Sequence, residues 1–542
     1  MLASASASDR AGTLLSWDWV VLGGYFALLI GLGVWLARRA RRTDSAGYFK
    51  GGGHMPVWAV ALSFVATAQS AATVLGAPED AYNGDLTYLS TNIGGVLAAI
   101  VLARFFIPAY YRLGVTTPYQ LLEHRFGPGA KIATSAMYMV GRVFASGARV
   151  FVGSIPVAIA IFGVQEGKVD STHLAVAIVV FMAFGAVFTL AGGLPSVIWT
   201  DVVQVAVYIG GALVLVVALW RGIGAELGAV VDAVSNGGPG GGSKLRVLTL
   251  GLDTSTTPLL AQPFTLITAC TGWLLLLLAA YGTDQDLVQR LLATENARKG
   301  AWSIITGVLM GIPAVAVFAL IGVLLWVYYQ CPGLTGRAEP AYLKGDSGEV
   351  LLKFALHETP AGLAGLVIAG VMAAGPAGIN SSLNSMASTF VTDLYKPLRP
   401  GRADGHYVSV GRWATAGWAV VLGGFALVCI AWKDANNEAI LPFVLGVMGF
   451  AYSGMLAVFV TALFTGRGST RSAIAALITG FVVMTLLQPA VMGWWWRWEK
   501  PPVIAVPWRM VIGTAVAMVV AVMGKGTGAV PAGRDAGESK KS

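Results

Sequence analysis

The chain has 542 residues, of which 56% are hydrophobic and only 12% charged, and its mean hydropathy is +0.71. A soluble domain carries about a quarter charged residues, so this composition excludes a soluble protein and fits an all-α polytopic membrane protein. A net charge of +9 would suggest a nucleic-acid partner in a soluble chain. Here Lys and Arg cluster in loops on one side of the membrane, so the positive-inside rule accounts for the charge and no nucleic acid is implied.

Runs of about 20 apolar residues are long enough to cross a bilayer. They fall at 17–37, 56–76, 88–110, 131–163, 173–192, 196–220, 264–281, 302–328, 362–392, 407–431, 439–464, 472–488 and 503–522, thirteen in all. The first is too long for a cleaved signal peptide and no cleavage site follows it, so it reads as an extra spanning helix behind a short tail at 1–15. Basic residues follow the odd-numbered runs: RRARR at 38–42, then Arg112, Arg125 and Lys131, then Arg290, Arg298 and Lys299. Lys396, Arg399 and Arg402 follow the ninth run, and Arg467 and Arg471 the eleventh. If spans alternate, all of these lie on one face, which puts the N-terminus outside and the C-terminus inside. The cluster GWWWRWEK (493–500) then sits at the outer interface, where Trp belongs. The outer stretch SNGGPGGGSK (235–244) reads as flexible linker, and 523–542 as a disordered cytoplasmic tail. The whole chain is expected to be one transmembrane unit in the cell's plasma (inner) membrane. The three cysteines, Cys270, Cys331 and Cys429, show no metal spacing and imply no disulfide framework.

Polar residues inside spans carry the information, because lipid punishes unsatisfied polar groups. In SFVATAQSAATVLGAPEDAYNGD (63–85), small and hydroxyl residues precede Gly76 and Pro78. That pattern fits a broken helix that frees carbonyls for an ion or solute, or small-residue helix packing. Arg142 and Arg149 are seven apart on one helix face. Buried arginines must pair, reach water or meet an anion. For one of the two, snorkelling to the interface is the competing reading, and Arg149 is the deeper. Asp201 and Gln204 enter the sixth span, where the carboxylate is either functional or a helix cap. In AAGPAGINSSLNSMASTFVTDLY (373–395), Ala377, Ser381, Asn384, Ser385 and Ser388 share one face. Oxygens in such a stripe suit a hard cation, and Pro376 frees the carbonyl of Met372 as well. The same hydroxyls could bond back to their own helix or join helices. Walker and HExxH patterns are absent, and FKGGGHMP (49–56) is followed by nothing like a phosphate site. Neither an enzyme nor an ATP-driven pump is expected.

Five stretches in order, LSFVATAQSAATVLGAPEDAY, IPAYYRLGVTTPYQLLEHRFG, GGLPSVIWTDVVQ, YGTDQDLVQRLLATENARKG and SSLNSMASTFVTDLYKPL, resemble the sodium:solute symporter family from about Tyr48 to Leu398. The similarity leans toward the monocarboxylate, multivitamin and iodide branch. The resemblance implies a LeuT-like fold of two inverted five-helix repeats, 56–220 and 264–464, with two further helices at 472–522. Spans two and seven would be the discontinuous helices lining the solute site. The implied function is secondary active transport, the Na+-coupled symport of a small solute by alternating access. Na+ is the coupling ion, no other cofactor is expected, and no obligatory protein partner is evident.

By position, the family's sodium site maps to carbonyls of Ala66, Gln69 and Ala374 and to a hydroxyl pair at Ala377 and Gly378. Neither of the last two carries a hydroxyl here, a departure that weakens the site. A second site maps to Asp201, Asn380 and Ser381, for sodium or a proton. The solute face maps to Gln69, Thr73, Arg149 and Tyr281. Ala72 and Thr73 replace the acid–amide pair of the glucose branch, which argues against a sugar, and Arg149 favours a small organic anion. The missing hydroxyl pair leaves two rivals open: proton-coupled or uncoupled transport, and a transporter-shaped solute sensor.

Overall fold

The computed structural model describes residues 13–40, 54–163, 169–255, 257–337, 339–343, 347–436, 439–496 and 502–526. Most of both expected tails and the FKGGG segment lie outside these residues. Within them the chain is helical, with no strand.

The principal helices are α1 (Ser16–Ala40), α2 (Val57–Ala68), α3 (Ala71–Asn83), α4 (Thr87–Leu113), α5 (Pro128–Phe162), α6 (Ser171–Ile223), α7 (Leu266–Gly282) and α8 (Gln285–Leu291). They continue as α9 (Ala297–Gln330), α10 (Leu363–Thr389), α11 (Asp404–Asn436), α12 (Ile440–Met448), α13 (Tyr452–Phe464), α14 (Thr470–Leu486) and α15 (Val506–Val522). Local chemistry sets several starts. Asp170 caps α6 by accepting the N–H groups of Thr172 and His173 at 2.8 and 3.3 Å. Asn296 caps α9 through the N–H of Lys299 at 2.9 Å. The extra first helix supplies a cap in trans: Asp18 of α1 accepts the N–H groups of Gly362 and Gly365 at 2.7 and 2.9 Å, where α10 begins.

Among the described residues, seven helices are long and apolar enough to cross a membrane, or ten if each of three bent pairs is one span. The bent pairs are α2/α3 at 62°, α7/α8 at 65° and α12/α13 at 47°. Spans two and seven are thus broken, in line with the sequence reading, and the third bend was not expected. Shorter apolar helices, Ser171–Ala186, Thr470–Leu486 and Val506–Val522, cover the fifth, twelfth and thirteenth runs.

The fifth and sixth runs share one uninterrupted helical stretch, α6, with Pro195 inside it. The chain nevertheless reverses there. Before the proline, Phe181 lies against Gly375 and Gly185 against Ile379, so α6 runs parallel to α10. After it, Tyr208 lies against Gly370 and Gly211 against Leu366, so α6 runs antiparallel. The stretch therefore folds back on itself between Gly185 and Tyr208, an interval that includes Pro195.

Burial separates the core of the bundle from its periphery. The apolar windows of α10 and α5 are 88% and 83% buried, against 28% for α1 and α11. Trp413 and Val420 of α11 stay exposed, as suits side chains facing lipid. Close helix approach rests on small residues: a Cβ at Gly322 of α9 would collide with the carbonyl of Pro78 on α3.

Candidate functional site

The break between α2 and α3 falls at Gln69 and Ser70, both extended (φ/ψ −91/136° and −131/177°). The last helical bond of α2 runs from the Gln69 N–H to Val65 at 2.9 Å. The Ala66 carbonyl therefore lies beyond the last turn that bonds to itself. Ser70 starts α3 as its N-cap, with the Thr73 hydroxyl 3.5 Å from its N–H. The sequence had drawn attention to Gly76 and Pro78, but both lie inside α3.

The break between α7 and α8 falls at Thr283 and Asp284, where Asp284 is extended and caps α8 through the N–H of Asp286 (3.2 Å). Between the two breaks lies a cavity closed on its other sides by α4, α5, α9 and the α12/α13 bend. Gln69, Thr73, Arg149 and Tyr281, which the sequence nominated separately, all line it. Gln69 donates its amide N–H to the Gly311 carbonyl at 2.8 Å, while its Oε1 has no partner among the described residues. Tyr281 packs edge-on against Phe64, ring centres 4.9 Å apart. Arg149 reaches the Thr67 carbonyl at 3.2 Å and the Met448 sulfur at 3.8 Å, and its Nε is unpartnered. No carboxylate among the described residues pairs with it.

Arg142, Asp284 and Asp286, which also line this cavity, belong to a buried charge cluster that the sequence reading largely missed. Arg142 donates to Asp284 at 2.8 Å and also to Asp286 and to Ser382 (2.7 Å). It is 3% exposed, so it does not snorkel. Tyr452 adds a bond to Asp284 at 2.8 Å. Arg290, 1% exposed, donates Nε to Ser63 (2.7 Å), Nη1 to Ser381 (2.6 Å) and Asp286 (3.3 Å), and Nη2 to Asp201 (2.9 Å). Ser63 also donates to Asp201 at 2.5 Å. Asp201 lies in mid-helix with its carboxylate turned to these partners, and it is not a cap. Buried charges persist only when paired in this way, since removing one partner costs about 3–5 kcal/mol. The signal was in DQDLVQR (284–290), whose acids and arginine follow an apolar run directly.

Of the α10 stripe only Ser381 reaches this cluster, joined there by Ser382 from beside the stripe, while the Ser388 hydroxyl has no partner among the described residues. Ser381 goes to Arg290, Ser382 to Arg142 and Ser146, and Ser385 to Tyr138. Asn380 does not turn toward Asp201: its Oδ1 accepts from Thr189 at 3.0 Å. Ala374 and Ala66 are both buried. The side chain of Ala377 lies outside the described residues. At Gly378 a Cβ would meet no described atom within 4 Å.

The stretch 235–244, expected to be a flexible linker on the outer side, is anchored at its end. Lys244 is buried and donates to the carbonyls of Ala81, Tyr82 and Gly84 at 3.1, 2.9 and 2.7 Å, over the ring of Trp326.

Comparison with known proteins agrees with this architecture. Residues 48–480 match the model of the sodium:solute symporter family. The sodium/sialic acid symporter SiaT of Proteus mirabilis is 28% identical, over 86% of this chain and 88% of its own. The human sodium/iodide cotransporter is 28% identical over 87% and 69%, and the mouse sodium-coupled monocarboxylate transporter 2 is 26% identical over 88% and 72%. A substrate-bound, outward-open structure of a Na+-coupled sialic acid symporter superposes with a TM-score of 0.75 at 25% identity, covering 94% of this chain and 97% of the other. A nucleobase-cation-symport-1 transporter shares the fold at a TM-score of 0.50 and 15% identity, covering 88% and 93%. The fold is LeuT-like. With sialic acid symporters matching at 28% and 26%, the leaning toward the monocarboxylate branch is not supported. The chain belongs to the sodium:solute symporter family: it is a sodium-coupled membrane transporter of small solutes, not an enzyme.

Proposed function

We propose that this chain carries a small organic anion together with Na+, by alternating access, across the plasma membrane. The observation that carries the reading is Arg149, a guanidinium facing the cavity between two helix breaks without a carboxylate partner. Such a charge is expensive unless a ligand meets it. Sialic acid, iodide and monocarboxylates, the solutes named for the relatives, are all anions. Gln69 Oε1, Thr73 and Tyr281 offer polar and aromatic contacts around the anion.

In this reading Na+ sits at the α2/α3 break, on carbonyls of Ala66, Gln69 and Ala374, beside the Ala377–Gly378 step. The thirteen apolar runs are thirteen spans, with the N-terminus outside. Spans two to six and seven to eleven form the two inverted repeats, and one bundle rocks against the other around the breaks. Proton coupling gains nothing from the structure, because Asp201, which would carry the proton, is engaged by Arg290 and Ser63.

The test is a thermal-shift screen on the purified chain, using sialic acid, short monocarboxylates, iodide, amino acids, neutral sugars and nucleobases, each in Na+ and in K+. An anion should stabilise the protein, and more strongly in Na+. Stabilisation by a neutral sugar or nucleobase alone would refute the anion reading.

A further inference from the structure

The seat that the sequence suggested for a second cation, between Asp201 on α6 and Ser381 on α10, is occupied by a side chain. Arg290 places its guanidinium there. Nη2 meets Asp201 Oδ2 at 2.9 Å and Nη1 meets Ser381 Oγ at 2.6 Å. Nε meets Ser63 Oγ at 2.7 Å, and Nη1 also meets the Asp286 carbonyl at 2.7 Å. Three of the oxygens that would surround a sodium ion, Asp201 Oδ2, Ser381 Oγ and Ser63 Oγ, are thus engaged by a group with the same unit charge, fixed in a planar fork, and only Asp201 Oδ1 is left without a partner among the described residues. Asn380, the third suggested ligand, faces Thr189 on the other limb of α6 (3.0 Å).

The charge count points the same way. Around the cavity and the charge cluster stand Arg142, Arg149 and Arg290 against Asp201, Asp284 and Asp286, three of each sign. One anionic solute and one Na+ leave this group neutral. A second Na+ would add an uncompensated positive charge in a site walled from water, which is costly.

We propose that Arg290 is a tethered cation that takes the place of a second coupling ion, so that this chain binds a single Na+, at the α2/α3 break. The inference rests on the sodium-symport reading above. It also makes a specific claim about α8: its last turn supplies a charge that the ion gradient would otherwise supply.

The experiment is equilibrium binding of radioactive ²²Na+ to the purified full-length chain in a K+ background. The wild type should bind one Na+ per chain, and Arg290→Lys, which keeps a tethered cation, should also bind one. Arg290→Gln should bind two, and the second should disappear again in the double variant Arg290→Gln/Asp201→Asn. Two Na+ per wild-type chain would overturn the proposal and leave sodium symport standing. So would an Arg290→Gln protein that melts cooperatively and still binds one. A wild type that binds no Na+ would sink the sodium reading itself, and the proposal with it. If Arg290→Gln does not fold, the wild-type stoichiometry still decides.

Discussion

Arg142 and Arg149 sit two turns apart on one face of α5 and carry the same charge, but their neighbours give them opposite purposes. Arg142 is held by two aspartates and a serine, whereas Arg149 has only a carbonyl and a thioether. Arg142→Met should therefore leave Asp284 and Asp286 without a counter-charge and lower stability by about 3–5 kcal/mol, read as a large fall in melting temperature in detergent. Arg149→Met removes a charge that no carboxylate among the described residues pairs with. Its melting temperature without solute should match or exceed the wild type, while affinity for the anionic solute falls by about a hundredfold. A large loss of stability in the solute-free Arg149→Met protein would show that the residue is structural. The spacing of the two arginines was plain in the sequence. Their division of labour was not, because it depends on α8, which lies 135 residues or more further along the chain at Asp284.

Helices that were legible from composition alone met their partners in ways composition does not encode. Spans two and seven were expected to break, and they do, but the first break is set by Ser70 as an N-cap rather than by Gly76 and Pro78. Proline tolerates a helix whose neighbours satisfy the freed carbonyl, so its presence located the element but not the kink. The glycine-rich stretch 235–244 misled for a related reason: its glycines signal a loop, and the single lysine at its end decides where the loop is held. Lys244 covers three carbonyls at the C-terminal end of α3, the end of a helix that attracts cations. Lys244→Met keeps most of the stem but leaves these carbonyls without a donor. The expected loss is about 1–3 kcal/mol of stability, together with faster protease cleavage within 235–244. Unchanged cleavage and melting would mean that the loop does not brace α3.

The contacts that join distant parts of the chain also bear on which end of each helix faces which side. Asp18 meets Gly362, Lys244 meets the end of α3, and Glu79 accepts the N–H of Ile440. In the alternating arrangement read from the apolar runs, all three pairings lie at the outer ends. Thr117 and Ser135 meet Asp393, Arg125 meets the Thr465 carbonyl, and the Met55 N–H meets Ala293. Those pairings lie at the inner ends, among the basic loops. A single misplaced or missing span between them would put partners on opposite faces of the bilayer. The arrangement therefore makes a prediction that needs no substrate. In a chain with Cys270, Cys331 and Cys429 replaced, Asn236→Cys in the exposed outer loop should react with a membrane-impermeant maleimide on intact cells. Arg402→Cys, exposed beyond the end of α10, should react only after the membrane is opened. Labelling of both residues from outside would overturn the alternation, and labelling in the reverse order would invert the orientation. Either result would also relocate the Arg290 cluster relative to the sodium gradient, because the direction from which the ion enters follows from the same alternation.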